Sequence, residues 1–275
     1  MSMSIRTNVA SLNAQRNLSA SQNTLDSSMS RLSSGYRITK AGDDAAGLGI
    51  STKLEAQIRS YNQASRNAND GVSVIQTTEA ALNETTNILT RLRELAMQAA
   101  SDGIGDTERE YIQTENDQLA AEIQRISQVT KFNGTSLLDG TGGTLDFQVG
   151  VDGTADDQIS FDTIDATAAT LGVDALDVND KTNAAAALTT IDTAIITVST
   201  ARAALGAAGN RFQSAINDIQ AFSESLSAAN SRIRDVDVAE ETSRMARANI
   251  LQQAGVSVLA QANQQPQLAL KLLGG

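Results

Sequence analysis

The sequence has no cysteine and no histidine among its 275 residues. Disulfide frameworks, thiolate chemistry and the usual zinc sites are therefore excluded, and so are the Ser-His and Cys-His pairs of many hydrolases. Tryptophan is absent as well, and aromatic residues make up 3% of the chain, so a core must be built from Leu, Ile, Val and Ala. We therefore expect no enzyme and no catalytic, cofactor or metal site.

Proline, long apolar runs and basic charge are also scarce. The single proline, Pro266, permits long helices over most of the chain. No apolar run reaches the roughly 18 residues of a membrane span, and the N-terminus lacks the features of a cleaved secretory leader. The net charge of −11 is opposite to what nucleic acid or an anionic membrane attracts. We therefore expect neither as a partner, and export from the cell would need a route without a leader.

The most regular feature of the chain is a seven-residue repeat between positions 187 and 233. One stripe holds branched or aromatic residues, and a second stripe four positions ahead of it is mostly alanine. Such spacing places both stripes on one helix face, where alanine lets a partner helix approach closely. The first stripe contains Ile191, Val198, Leu205, Phe212, Ile219, Leu226 and Ile233, and the second contains Ala187, Ala194, Ala201, Ala208, Ala215, Phe222 and Ala229.

A second repeat of similar length runs from Leu54 to Ala96, so the two long stripes can pack against each other. It crosses the triplet Asn-Asp-Gly at 69–71, which alone would indicate a hairpin turn. The repeat stays in phase across the triplet, and one internal glycine costs about 1 kcal/mol, so we predict one continuous helix. Other helices are predicted before the stop signal at 33–36, from about 107 to 130 and from about 236 to 272.

The middle of the chain, about 131–181, has a different character. Ten aspartates lie between Lys131 and Lys181 with no basic residue among them, and we expect a loop-rich, solvent-facing segment. Apolar and polar residues alternate around Phe147 and again around Phe161, which predicts two strands joined as a hairpin. The whole sequence therefore predicts a mainly α fold, a long antiparallel helical bundle or coiled coil with a small β-hairpin region.

Both ends of the chain contain characteristic short motifs. Those near the N-terminus are LSSGYRI at 32–38, DDAAGL at 43–48, NDGVS at 69–73 and FNG at 132–134, and those near the C-terminus are SRIRD at 231–235 and ILQQAGVSVLAQANQ at 250–264. In these motifs both ends resemble bacterial flagellin, the subunit of the flagellar filament. Together they cover roughly 1–140 and 182–275. Because the acidic middle is short, the chain is similar to a compact flagellin that lacks large outer domains.

The resemblance implies a secreted structural subunit that polymerises into the helical filament of the extracellular flagellum, for motility. It implies a terminal coiled-coil core domain, 1–43 with 234–275, that lines the filament and folds on assembly, and a rod domain, 44–233, that carries the acidic segment. Implied partners are further copies of the chain, the flagellar export chaperone, the filament cap and the hook-junction proteins. The alternative is a hook–filament junction protein or another secreted coiled-coil protein.

The resemblance also implies three sets of site residues. Segment 91–98 is similar to the flagellin segment recognised by a vertebrate Toll-like receptor, with Glu115 as a further contact, and Arg91 and Leu95 lie four residues apart on one exposed face that should first serve subunit packing. Filament-core packing is expected of Leu18, Leu25, Leu32, Leu251, Val258 and Leu259. Since flagellins often carry O-linked sugars on outward Ser or Thr, the candidate sugar sites are Thr141, Thr154 and Ser160.

Overall fold

The computed structural model describes residues 7–273, with side chains for residues 7–264. Within these residues it contains long helices, short strands and one 3-10 turn (Ala155–Asp157), which confirms the predicted mainly α fold with a small hairpin region. The helices are α1 (Val9–Ser34), α2 (Ala45–Ala99), α3 (Asp106–Val129), α4 (Lys181–Arg234) and α5 (Val238–Leu273). The strands are β1 (Lys131–Phe132), β2 (Thr135–Ser136), β3 (Thr144–Gln148) and β4 (Gln158–Asp162).

The chain divides into two compact units. The terminal unit comprises Met1–Ala56 and Ser225–Gly275, and the rod unit comprises Gln57–Glu224. Both boundaries lie inside the long helices α2 and α4, whereas the predicted domains divide the chain after residues 43 and 233. Because the predicted domains describe roles in a filament, the boundaries of the two units do not test them, and they stay a prediction.

The first two helices begin and end at residues whose chemistry suits a helix terminus. The side-chain oxygen of Asn8 accepts a hydrogen bond from the backbone N–H of Ser11 at 3.1 Å and so caps α1. Gly35 adopts the left-handed conformation, with φ 75°, that ends many helices and that glycine reaches without strain. Asp44 caps α2 by accepting from the N–H of Gly47 at 2.8 Å. The predicted helix stop at 33–36 is therefore confirmed, since α1 ends at Ser34.

In the rod unit, α2 and α4 run antiparallel and share one core. Gly71 lies against Phe212 and Arg93 binds Asp192, so residue numbers rise along one helix as they fall along the other. The two seven-residue stripes are buried together, which agrees with the prediction that they pack against each other. The buried members are Ala68, Ile75, Leu82, Leu89 and Ala96 of α2, and Ile191, Val198, Leu205, Phe212 and Ile219 of α4.

Gly71 gives the ring of Phe212 room to pack against α2. A Cβ atom at Gly71 would lie 2.6 Å from that ring. The helix continues through the triplet at 69–71, as predicted. Phe212 also meets both strands of the β3–β4 hairpin, because its ring is nearly perpendicular to those of Phe147 and Phe161 at centroid distances of 5.5 and 6.4 Å. The apparent turn signal is therefore a packing site for an aromatic ring.

The acidic middle of the chain is only partly solvent-facing. The predicted hairpin is confirmed, with β3 and β4 antiparallel and Phe147 opposite Ile159. A second hairpin, β1–β2, turns at Asn133 and Gly134, which both have positive φ. The expectation of a wholly solvent-facing segment is wrong, because apolar residues between the aspartates fill space in the rod core. Those almost fully buried are Leu137, Leu138, Val173 and Val178.

Residues 35–37 and 234–236 of the terminal unit pair as two short segments, here called the clasp. The backbone N–H of Arg37 donates to the carbonyl of Arg234 at 2.6 Å, and the N–H of Val236 donates to the carbonyl of Gly35 at 3.0 Å. The guanidinium of Arg234 lies 4.2 Å from the centre of the Tyr36 ring, a favourable cation–π geometry. The clasp thus ties the connection after α1 to the connection before α5.

Asp43 orders the connection between α1 and α2. One carboxylate oxygen accepts hydrogen bonds from the backbone N–H of Thr39 at 3.0 Å, from the hydroxyl of Thr39 at 2.9 Å and from the N–H of Lys40 at 3.1 Å. These bonds favour the charged carboxylate, as does the nearby guanidinium of Arg31, and they lower the pKa of Asp43 from 3.8 to about 2. The charge of Asp43 is therefore part of the folded connection.

Helix α4 is long and apolar enough to cross a membrane, judged by length and composition alone. The core helix of a soluble protein passes the same test, and the stripe through Ile191, Val198 and Leu205 is buried in the rod core. The expectation that no membrane is a partner stays a prediction.

Replacing Phe212 by Ala should lower the free energy of unfolding of the rod unit by about 3–5 kcal/mol, because it removes a buried ring and leaves a cavity. Chemical denaturation followed by circular dichroism measures the loss. Phe222→Ala is the matched control, since Phe222 is 57% exposed and stacks on Tyr61 at the surface. Equal losses in the two variants would contradict this description of the core.

Asp43→Asn should destabilise the terminal unit at neutral pH and have no effect in strong acid. A carboxyl whose pKa is lower in the folded than in the unfolded chain stabilises the fold above its unfolded pKa, and this stabilisation is lost as the pH falls through the folded pKa. The difference in melting temperature between the assembled variant and the assembled wild-type protein should therefore shrink between pH 3.8 and about 2. Asp26→Asn, which removes an exposed carboxylate from α1, is the control. A difference that stays constant through this range would exclude Asp43 as its source.

Candidate functional site

Helices α1 and α5 pair antiparallel along two seams whose residues are spaced by three and four positions. Residue numbers rise along α1 as they fall along α5, from Ser11 against Asn263 to Ser28 against Glu241. Many of the buried and half-buried seam residues are small or polar. The α1 seam contains Ser11, Ala14, Leu18, Ser21, Leu25, Ser28 and Leu32, and the α5 seam contains Glu241, Met245, Ala248, Gln252, Gly255, Leu259 and Ala262.

Polar side chains make direct hydrogen bonds across this helix pair. With the donor first, they are Ser28 to Glu241 at 2.5 Å, Gln252 to Gln22 at 2.5 Å, Ser11 to Asn263 at 2.9 Å, and Asn8 to the backbone carbonyl of Ala262 at 2.8 Å. Such bonds are directional, and each contributes about 0.5–1.5 kcal/mol net to stability. The contact between α1 and α5 therefore depends on polar geometry and buries few large apolar side chains.

Large apolar side chains of the same two helices lie instead on their outer faces. Each of them is at least half exposed: Val9, Leu12 and Met29 on α1, and Val238, Ile250, Leu251, Val256 and Val258 on α5. Exposed apolar patches mark interaction sites. The terminal unit therefore has the chemistry of an unoccupied interface.

An open groove of about 410 Å³ runs between the two helices. Its walls include Leu18 from α1 and Leu251 and Val258 from α5, and small residues at Ala14 and Gly255 form its floor. A Cβ atom at Gly255 would lie 3.4 Å from Leu18, so the glycine sets the depth of the groove. A second depression of about 260 Å³ adjoins it at Leu251. The grooves can hold apolar side chains from another helix.

The structure separates the six residues predicted to pack in the filament core. Leu25 is buried between α1 and α5, whereas Leu18, Leu32 and Leu259 are half-buried. Leu251 and Val258 are more than half exposed. Leu25 can therefore stabilise the helix pair within one subunit, and the exposed members are free to contact a second molecule. Their role in filament packing stays a prediction.

The residues predicted to contact an immune receptor lie in the rod unit. The guanidinium of Arg91 on α2 binds Glu115 on α3 at 2.8 Å and Glu94 at 3.1 Å. Hydrogen bonds to Glu115 and then to Glu94 raise the pKa of Arg91. Both Arg91 and Glu115 keep about half of their side-chain surface in solvent. The two predicted polar contacts therefore form one exposed ion pair.

Leu95 does not share this exposure. It is 2% exposed and belongs to the rod core, so the expectation of an exposed face that contains both Arg91 and Leu95 is wrong. Four residues advance an α-helix by one turn and about 40° more, which is enough to move a side chain from the edge of the buried stripe into it. Leu95 can support Arg91 from beneath but presents little surface of its own.

The three candidate sugar sites are exposed in the rod unit, but their hydroxyl groups differ. Thr141 donates to Asp139 at 2.6 Å and Thr154 donates to Asp157 at 2.7 Å, so each hydroxyl is held by a neighbouring carboxylate. Ser160 lies on β4 opposite Asp146 of β3. All three are accessible, and their modification stays a prediction.

Glu241 is a feature that the sequence analysis missed. Its side chain is 6% exposed, although charged residues are rarely buried without partners. The signal that could have found it is the spacing of the α5 seam, because Glu241 precedes Ala248, Gly255 and Ala262 at intervals of seven residues. A glutamate on a stripe of small residues indicates a buried charge.

The sequence is similar to known proteins at both ends and over nearly its whole length. Residues 5–142 match the family model of the bacterial flagellin N-terminal helical region, and residues 188–273 match that of the bacterial flagellin C-terminal helical region. A flagellin from Halalkalibacterium halodurans is 45% identical over 271 residues, which cover 98% of this chain and all of the relative. A flagellin from Bacillus subtilis is 45% identical over 305 aligned positions with the same coverage.

The structure has a flagellin neighbour as well. The crystal structure of Bacillus cereus flagellin is 32% identical and matches with a TM-score of 0.51, over 56% of this chain and 88% of that chain. None of these relatives favours the alternative of a hook–filament junction protein. The chain therefore belongs to the bacterial flagellin family, as a compact member without large outer domains, and is a structural subunit of the flagellar filament.

Proposed function

We propose that this flagellin polymerises chiefly through the outer apolar faces of α1 and α5. The observation that supports this most directly is the reversed distribution of side chains in the terminal unit, where polar groups join the two helices and Ile250, Leu251 and Val258 face outward. A second copy supplies the apolar surface that these side chains lack within one subunit. The groove lined by Leu18, Leu251 and Val258 receives a side chain of the neighbouring copy.

The energies of these contacts agree with chain ends that become ordered when the subunit assembles. Burying a Leu, Ile or Val side chain fully contributes about 1.5–3 kcal/mol, whereas fixing the backbone of one residue costs about 1–2 kcal/mol. The α1 and α5 seams bury few large side chains, so the pair alone gains little against this cost. We infer that the terminal segments fold when a neighbouring subunit covers their outer faces. Contacts that repeat from copy to copy without closing a ring then build an open helical filament.

The proposed domain roles follow the same logic. The segments 1–43 and 234–275 line the filament, and 44–233 forms the surrounding rod with its acidic segment. Before assembly, the exposed apolar faces of α1 and α5 must be covered inside the cell, and the flagellar export chaperone would bind them there. The same faces are available to the filament cap and the hook-junction proteins at the two ends of the polymer. We further propose that the subunit is secreted to the extracellular flagellum.

A second proposed role is recognition of the free subunit by the vertebrate flagellin-sensing Toll-like receptor. The ion pair of Arg91 and Glu115 supports it, since a planar guanidinium at the surface can bind a carboxylate or carbonyl of a partner. Leu95 is buried in the rod core, where it anchors the part of α2 that carries Arg91, and it presents little surface to the receptor. O-linked sugars at Thr141, Thr154 or Ser160 would add a modification to the same rod unit.

Replacing both Leu251 and Val258 by Ala should raise the critical concentration for polymerisation at least about tenfold, because a loss of about 1.4 kcal/mol of apolar burial corresponds to that factor. Sedimentation of seeded samples, with electron microscopy of the pellets, measures the change. Ile196→Ala is a control for loss of an exposed apolar side chain from the rod unit, where Ile196 is 66% exposed. Assembly of the double variant at the wild-type concentration would place the main interface elsewhere.

Arg91→Ala should reduce receptor signalling by soluble subunits about tenfold or more, as expected for a central charged contact. A reporter-cell assay with purified monomer measures it. Arg125→Ala is the matched control, because Arg125 on α3 is also exposed and paired with a glutamate, Glu122. Both substitutions should leave thermal stability nearly unchanged, since exposed ion pairs contribute at most about 1 kcal/mol. Equal signalling by the two variants would rule out the proposed contact.

A further inference from the structure

We propose that Glu241 fixes the axial register of α5 against α1. Its carboxylate is almost fully buried in the helix pair and accepts a hydrogen bond from the hydroxyl of Ser28 at 2.5 Å. The second carboxylate oxygen lies 4.0 Å from the guanidinium of Arg31 on α1 and 3.9 Å from that of Arg244 on α5. Glu241 thus carries a negative charge into the seam and finds partners on both helices.

Apart from Glu241, the small-residue stripe of the α5 seam contains little information about register, which the hydrogen bonds of Gln252 and Asn263 with α1 also help to define. Glu241, Ala248, Gly255 and Ala262 form one stripe at seven-residue intervals, and three of these four residues are nearly interchangeable in size. A slip of α5 by one heptad, about 10.5 Å along the axis, replaces alanine by glycine or glycine by alanine. Apolar burial is not directional, so it distinguishes these registers poorly. The carboxylate is the member of the stripe that cannot be exchanged.

A slipped register would leave the charge of Glu241 without its partner on α1. Removing one partner of a buried charge is strongly unfavourable, and single buried polar residues specify register in coiled coils. The partner is itself held in place, because the guanidinium of Arg31 lies 3.5 Å from Asp43, which orders the connection after α1. The position of α5 along α1 is therefore fixed at the end of α1 that lies next to the clasp.

The register matters for the outer surface of the pair. The groove takes Leu18 from α1 and Leu251 and Val258 from α5, which are seven residues apart, so a slip of one heptad would leave one of these two α5 side chains in the groove instead of both. In this respect the inference rests on the proposed assembly surface, whereas the role of Glu241 in the helix pair does not. Glu241 is a positioning residue, since it acts on the groove through the alignment of the two helices.

The absence of cysteine from the chain permits a direct test. A Cβ atom built at Gly255 lies 3.8 Å from the Cβ atom of Leu18, which is close to the mean separation in disulfides. Leu18→Cys with Gly255→Cys therefore reports the observed register. Leu18→Cys with Ala248→Cys, or with Ala262→Cys, reports a slip of seven residues. Each pair is incorporated as a minor fraction into filaments of the wild-type protein, oxidised mildly, and scored for the intramolecular disulfide by electrophoresis.

With Glu241 present, we expect the disulfide at Gly255→Cys and none at the two slipped positions. Glu241→Ala completes the small-residue stripe, so the Gly255→Cys disulfide should decrease and a slipped disulfide should appear. Glu240→Ala is the matched control, because Glu240 is an exposed glutamate one residue earlier that binds Arg244 on its own helix. It should leave the pattern unchanged. An unchanged pattern in Glu241→Ala, or the same shift in Glu240→Ala, would overturn the proposal.

Glu241→Gln provides a second measurement if Glu241→Ala does not enter filaments. The amide oxygen can still accept from Ser28, so this variant should enter filaments and keep the disulfide at Gly255→Cys. Its exclusion from filaments would overturn the register role, since the charge would then be needed for assembly itself. Electron microscopy of the wild-type protein tests the proposed polymerisation separately, and the disulfide pattern is scored only where filaments form.

Discussion

The narrow, polar seam between α1 and α5 is the constraint on which the terminal unit depends. Alanine, glycine and serine let the two helices approach closely, and they leave room in the seam for few large apolar side chains, such as Leu25. The large apolar residues are therefore displaced to the outer faces, where Ile250 and Val258 remain in solvent. The same choice of residues makes the helix pair weak on its own, and it leaves apolar faces through which the pair binds other copies of the chain.

The rod unit follows the opposite design. Its seams pair alanine on one stripe with Leu, Ile, Val and Phe on the other, and these larger residues are buried inside the subunit. Phe212 joins the helices to the hairpin, and Gly71 provides the space for its ring. The rod therefore has a core of its own, and charged pairs such as Arg91 with Glu115 lie on its surface. One chain thus combines a self-sufficient part with a part that is completed by other copies.

Features set by local periodicity could be predicted from the sequence. The helix stop at Gly35, the unbroken course of α2 through Gly71 and the hairpin around Phe147 and Phe161 depend on spacing within short stretches of chain. The burial of Leu95 could not be predicted, because a repeat defines the centre of a helix face but not its edges. The family resemblance, rather than the repeat, carried the prediction of function, since the repeat alone predicts only a rod.

Contacts between residues that are far apart in the sequence could not be predicted from the sequence. Ser28, the hydrogen-bond partner of Glu241 on α1, lies 213 positions away in the sequence, and no local pattern selects it over another serine of α1. The clasp is another such feature, and it has a mechanical consequence. Its two backbone hydrogen bonds cross between the connections at 35–37 and 234–236, so a pull on either connection is shared by both. In a chain cut between residues 38 and 42, these bonds and the pairing of α1 with α5 would still hold the first helix to the rest of the terminal unit.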